Sequence, residues 1–134
     1  MTAEPSRTPF RTWNGIDAHE FVDGIHLHAI GGEQLLLCKV TYEAGKRIPL
    51  HKHDQTEQVM WIIDGAVDMA IEGEWKTLEA GDVVVVNRGL EHELHSTGGV
   101  TFLEGLAPVP LDHVPDKERD LVLGRAGGAG HVQK

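Results

Sequence analysis

The sequence predicts an all-β fold, a small antiparallel jelly-roll barrel forming a single domain. Three observations carry that expectation. Short apolar or alternating runs recur along the chain, and Gly-containing turns separate them at close spacing. Before residue 112 no stretch keeps a helical period long enough to compete. A length of 134 residues suits one sizeable core better than two.

Residues 1–24 are polar and interrupted by Pro5, Pro9, Gly15 and Gly24, which reads as an N-terminal arm with one short strand around Phe10–Trp13. The barrel is expected over 25–111. IHLHAI (25–30) runs into Gly31-Gly32, and QLLLCKVTY (34–42) into Glu43-Ala44-Gly45. A short segment then reaches His53. EQVMWII (57–63) ends at Asp64-Gly65, a dipeptide that predicts a hairpin into AVDMAI (66–71). Glu72-Gly73 closes that run, and WKTLEAGD leads into VVVV (83–86) and the turn Asn87-Arg88-Gly89. A segment through His95, the turn STGG (96–99) and VTFLEGL (100–106) complete about nine strands. VVVV and VMWII lack polar alternation, so both of their faces are expected to be covered. One cover is the barrel interior, the other a second sheet or a partner subunit. Residues 112–134 read as an extension with one helical turn after Pro115, followed by a flexible Gly-rich tail.

Composition narrows the function. Twelve basic against twenty-one acidic side chains give a net charge of −9, which works against nucleic acid and against an anionic membrane surface. The longest apolar runs are strand-sized, so no bilayer span is expected. Residues 1–20 lack the charged start and apolar stretch of a secretory signal. The single cysteine, Cys38, cannot form an internal disulfide. It reads as a packed strand residue in a reducing, cytoplasmic setting.

The chain has nine histidines. His19, His113 and His131 lie in polar or terminal segments and are expected in solvent. His26 and His28 share a strand face, as a polar lining or a surface stripe. His51 and His53 are different. At i and i+2 of a strand they project from one face about 7 Å apart and can converge on one ion. His92 follows the valine strand and a tight turn, which places a third imidazole on a hairpin across the barrel from that pair. The adjacent Glu57 and Gln58 then pose a choice between a carboxylate and an amide, and strand alternation allows only one of them to point inward.

The stretch GKRIPLHKHDQTEQVMWIIDG, with Gly45, His51, His53 and Gly65, resembles the first motif of the cupin superfamily. GDVVVVNRGLEHELHS, with Gly81, Gly89 and His92, resembles the second. Asn87 stands where that motif usually has Pro, and Ser96 where it usually has Asn; both read as turn or edge positions. The family's six-residue spacer before the turn glycine, counted back from Gly65, lands on Gln58. The resemblance therefore implies a metal site of His51, His53, Gln58 and His92, with Glu57 turned outward. It also implies a homodimer.

Four neutral ligands would leave the full charge on one divalent ion (zinc, nickel, manganese or iron), which favours Lewis-acid chemistry on a carbonyl group. Such chemistry needs a proton acceptor. Glu104, a lone acid inside VTFLEGL, is the candidate, and it falls where small pectin-degradation cupins that linearise uronates carry their catalytic acid. The substrate-binding residues of those proteins have no obvious match in APVPLDHVPD. Cupin polyketide cyclases show a similar ligand set, with Met60, Ile62, Trp75 and Phe102 as candidate pocket lining here. The expectation is a metal-dependent isomerase, cyclase or lyase acting on a small-molecule substrate of sugar-acid or polyketide type. A metal-dependent dioxygenase and a non-catalytic small-molecule-binding module are the alternatives.

Overall fold

Alternate burial along each strand builds the molecule. A computed structural model describes residues 9–14, 16 and 18–108; the extension and tail expected beyond residue 111, with His113 and His131, lie outside them. Nine strands follow in order: β1 (His19–Val22), β2 (Ile25–Gly31), β3 (Leu36–Tyr42), β4 (Lys46–His51), β5 (Glu57–Ile71), β6 (Glu74–Glu79), β7 (Val83–Val86), β8 (His92–Ser96) and β9 (Val100–Ala107). All their pairings are antiparallel. No helix among the described residues is long and apolar enough to cross a membrane.

One sheet runs β1-β2-β3-β9-β5-β7, and the other β4-β8-β5-β6. Both share β5. Its first part, from Glu57, lies between β7 and β9, and its last residues lie between β6 and β8. The two sheets close over a core of Leu36, Val40, Met60, Ile62, Val67 and Phe102 with their buried neighbours. This is a jelly roll, as the sequence predicts. Tyr42 and Phe102 meet in the core with ring centroids 5.7 Å apart.

The structure corrects three local expectations. Asp64-Gly65 is no hairpin, because β5 continues unbroken for 15 residues. A bulge against β9 falls between Ile62 and Asp64, and Gly65 adopts a φ of 80°. A Cβ there would lie 2.3 Å from the Gly99 carbonyl oxygen. The glycine thus lets β5 pass close to the start of β9 as it crosses from one sheet to the other.

The early strand is not at Phe10–Trp13. There the Asn14 N–H donates to Thr12 Oγ1 and the Ile16 N–H to the Trp13 carbonyl, which makes a turn. The strand that joins the sheet is β1, downstream. Ser96 is no edge residue either. It is buried, its Oγ donates to the Ala66 carbonyl at 2.7 Å, and its carbonyl accepts from Gly45 N–H at 2.7 Å.

The outer face of β5 and β7, where a second sheet or a partner subunit is expected, is bare in the single chain. Gln58, Met60 and Ile62 point inward, while Val59, Trp61, Ile63, Val83 and Val85 are exposed. A period of two operates here, but with apolar residues on both sides of it.

The close approach at Gly65 gives a prediction. Gly65→Ala combines a left-handed φ with a backbone clash and is expected to destabilise the fold by at least about 2 kcal/mol. Gly73→Ala has a similar φ of 82° and open space around it, so about 1 kcal/mol is expected. Urea unfolding of both variants compares the two.

Candidate metal centre

Three imidazoles meet at one end of the cavity between the sheets. His51 ends β4 and stands in register opposite His92, the first residue of β8. His53 lies two residues past the end of β4, where its carbonyl accepts the Gly89 N–H at 2.8 Å. That bond ties the histidine segment to the turn before His92. Two details of the sequence reading change here. His53 is beyond the strand rather than on it, and His92 is beside His51 rather than across the barrel. Antiparallel pairing of β4 with β8 explains the second, since it places the last residue of one beside the first of the other.

One ligand nitrogen from each of the three rings lies within 4.8 Å of the others. Nitrogens bound to one ion at about 2.1 Å sit about 3.0 Å apart at a right angle and about 4.2 Å apart in line. Ring shifts of under about 1 Å therefore close the cluster. Two of the rings also have their tautomers set. His51 Nδ1 lies 2.8 Å from the Pro49 carbonyl oxygen, and His92 Nδ1 lies 2.9 Å from that of Leu90. A carbonyl only accepts, so each Nδ1 carries the proton and each Nε2 keeps its lone pair for a ligand role.

Gln58 lies on β5 between Val86 and Leu106 and is buried, whereas the neighbouring Glu57 is exposed. Gly65 is a bend rather than a turn, yet β5 is continuous from 57 to 62, so parity sends 58, 60 and 62 inward together. The Gln58 Nε2 donates to Glu104 Oε1 at 2.5 Å. The other end of the amide, Oε1, is buried with no hydrogen-bond partner among the described residues. An acceptor oxygen left bare in the cavity that holds three imidazoles is what a cation-binding amide requires. The donor set fits a divalent ion.

Glu104 stands on β9 between Met60 of β5 and Cys38 of β3, with its side chain on the cavity wall. Burial pushes its pKa up to about 7, against a lowering by the Gln58 hydrogen bond. Burial, followed by the charge of Glu104, also raises the Cys38 thiol and the Tyr42 phenol well above their ordinary ranges. Both groups line the cavity as neutral donors.

Tyr42 escaped the sequence reading, although the period of two from Cys38 through Val40 reaches it on β3. Of the lining residues expected, Phe102 is in the wall. Met60 and Ile62 are buried in the core behind it, and Trp75 is half-exposed on β6. His26 and His28 stand opposite Thr41 and Lys39, on strand positions alternate to the wall residues Ile25 and Leu27. His26 Nε2 pairs with Glu43 at 3.0 Å.

Comparisons with known proteins agree with this fold. The pectin degradation protein KdgF of Dickeya dadantii (strain 3937) is 30% identical over 104 residues, covering 77% of this chain and 88% of that protein. The tetracenomycin polyketide synthase protein TcmJ of Streptomyces glaucescens is 26% identical over 92 residues, which are 64% of this chain and 62% of that protein. The match thus spans less than two thirds of TcmJ. Among solved structures, an RmlC-like cupin from Shewanella frigidimarina NCIMB 400 superposes with a TM-score of 0.73 at 20% identity, covering 80% of this chain and 96% of that one. KdgF from Halomonas sp. gives 0.68 at 21% identity, over 73% and 91% of the two chains. The family model for the cupin domain matches residues 38–104, from the middle of β3 to Glu104 itself. The chain belongs to the cupin family.

Proposed function

We propose that the chain is a metal-dependent isomerase, cyclase or lyase that removes a proton next to a carbonyl group in a small molecule. His51, His53, His92 and Gln58 hold one divalent ion, and Glu104 accepts the proton. The observation that carries this reading is the two-ended Gln58 amide, with its Nε2 on the Glu104 carboxyl and its bare Oε1 in the imidazole cavity. When bound, the ion supplies Lewis acidity towards a substrate oxygen.

The chain's own residues supply the rest. Burial lifts the Glu104 carboxyl to about 7 in the metal-free chain, so this side chain can take up a proton inside the cavity. Gln58 holds that carboxyl through Oε1, which leaves Oε2 as the atom that meets the substrate hydrogen. The apolar wall keeps competing water away from the exchange. The similarity to KdgF and TcmJ, one a pectin degradation protein and one a polyketide synthase protein, supports carbonyl chemistry over the dioxygenase and binding-module alternatives.

The functional unit we propose is a homodimer joined through the bare outer face of β5 and β7. In register, Val59 stands between Val85 and Gly105, and Trp61 between Val83 and Leu103. These two rows carry no carboxylate in a chain of net charge −9. A second copy, equally acidic, meets least repulsion there.

Three outcomes are expected. Gln58→Ala lowers metal content sharply in purified protein and Glu57→Ala leaves it nearly intact; equal losses by elemental analysis would remove Gln58 from the site. Zinc-loaded protein accelerates deuterium exchange of the α-hydrogens of a simple ketone, followed by NMR. Glu104→Gln slows it by on the order of 10²-fold or more with metal content unchanged.

The same variant has a pH signature in metal-free protein. Glu104 is neutral in both states below its ordinary value of 4.5, so it costs nothing there. Between 4.5 and about 7 the unfolded chain ionises and the folded one does not, which favours unfolding. Above about 7 the cost is constant. Glu104→Gln therefore gains stability relative to the parent as pH rises through that window, read from urea midpoints, and the shared imidazoles cancel in the difference.

For assembly, sedimentation of the parent should show a dimer and of Trp61→Glu a monomer with metal content retained.

A further inference from the structure

The wall of the cavity also bears on what enters it. Fifteen residues line it, and among these described residues there is no lysine or arginine. Leu27, Leu36, Val40, Leu94, Phe102 and Leu106 make much of the surface, and Glu104 is the only carboxylate among the described lining residues. A sugar acid carries a carboxylate that must be stripped of water to enter. Buried anions need a cation or several donors in return. Here the wall offers the neutral Cys38 thiol and Tyr42 phenol, and it sets the substrate beside Glu104. With no lysine or arginine among the described lining residues, the cation would be the metal ion. A carboxylate seated on that ion would compete with the carbonyl group for the positions that the four ligands leave.

We infer that the substrate is a neutral, largely apolar ketone or polyketone rather than a uronate or another carboxylate. This rests on the carbonyl reading of the site proposed above and restricts it to one chemical class. The polar end of such a molecule lies at the three imidazoles and Gln58, and its carbon skeleton lies along β3 and β9 between Leu36, Val40 and Phe102. The phenol of Tyr42 and the thiol of Cys38 are held protonated by burial. They offer weak donors suited to a second oxygen without demanding charge.

An isosteric pair tests the class. 4-Nitroacetophenone and 4-acetylbenzoate share a ketone and differ in whether the far end is neutral or anionic. Binding of each is measured by titration calorimetry on zinc-loaded and on metal-free full-length chain, with D-galacturonate as the uronate. The neutral ketone is expected to bind at least tenfold more tightly than 4-acetylbenzoate in both forms, and galacturonate more weakly still. Leu27→Lys places a cation on a half-buried position of the wall and should narrow or reverse the preference within the pair; circular dichroism checks that the variant folds. Equal or tighter binding of either anion by the parent overturns the inference, as does the absence of neutral-ketone binding. Ketone binding without α-hydrogen exchange would instead count against the proton-transfer function and leave the substrate class standing.

Discussion

The close passage of β5 over the start of β9 is the constraint on which the rest of the molecule depends. Gly65 lies so near Gly99 and Val100 that no side chain fits between them. Because the chain bends there without reversing, one strand serves both sheets, and the cavity between them has a continuous wall. The bend is also why the inward parity of Gln58 is secure. From Glu57 to Ile62 the strand is regular, and its irregularity falls afterwards, next to Gly65. Strand β9 uses the same neighbour relation to bring Glu104 one residue pair away from Gln58. The polar pair in the cavity is therefore a consequence of how two backbones cross.

Much of this could be read from residue order, and the misses share one cause. Period-two alternation and Gly-containing turns gave the strand count, and the two histidine segments gave the cupin resemblance. Errors arose wherever a local signal competed with a tertiary one. Asp64-Gly65 has turn chemistry in isolation, but strand pairing on both sides of it keeps β5 extended. The same competition buries Ser96, whose neighbours mark a turn while its hydroxyl bridges to Ala66.

Within the site, residue types were legible and neighbour relations were not. His51, His53 and His92 stand out by spacing, but that His51 and His92 are paired across adjacent strands depends on β4 lying beside β8. Glu104 stands out as an acid in an apolar strand. Its hydrogen bond to Gln58 spans 46 positions, and no local pattern encodes it. Tyr42 is the instructive omission. It lies on the same face as Cys38, but an aromatic at the end of an apolar strand reads as core until the facing charge of Glu104 is known.

The contact between Gln58 and Glu104 also explains the amide. At 2.5 Å the two side chains are hydrogen-bonded partners, with the amide donating. A carboxylate at position 58 could not donate in its ionised form. Two carboxylates at that distance would share one proton, which would spend the basicity of Glu104 on its neighbour. An amide avoids this by being different at its two ends. Its nitrogen steadies the carboxyl, its oxygen keeps a full lone pair for a cation, and neither end changes charge. A cation bound at Oε1 would in turn draw electron density from the amide and make Nε2 a stronger donor to Glu104. The ligand site and the base would then be coupled through one planar group.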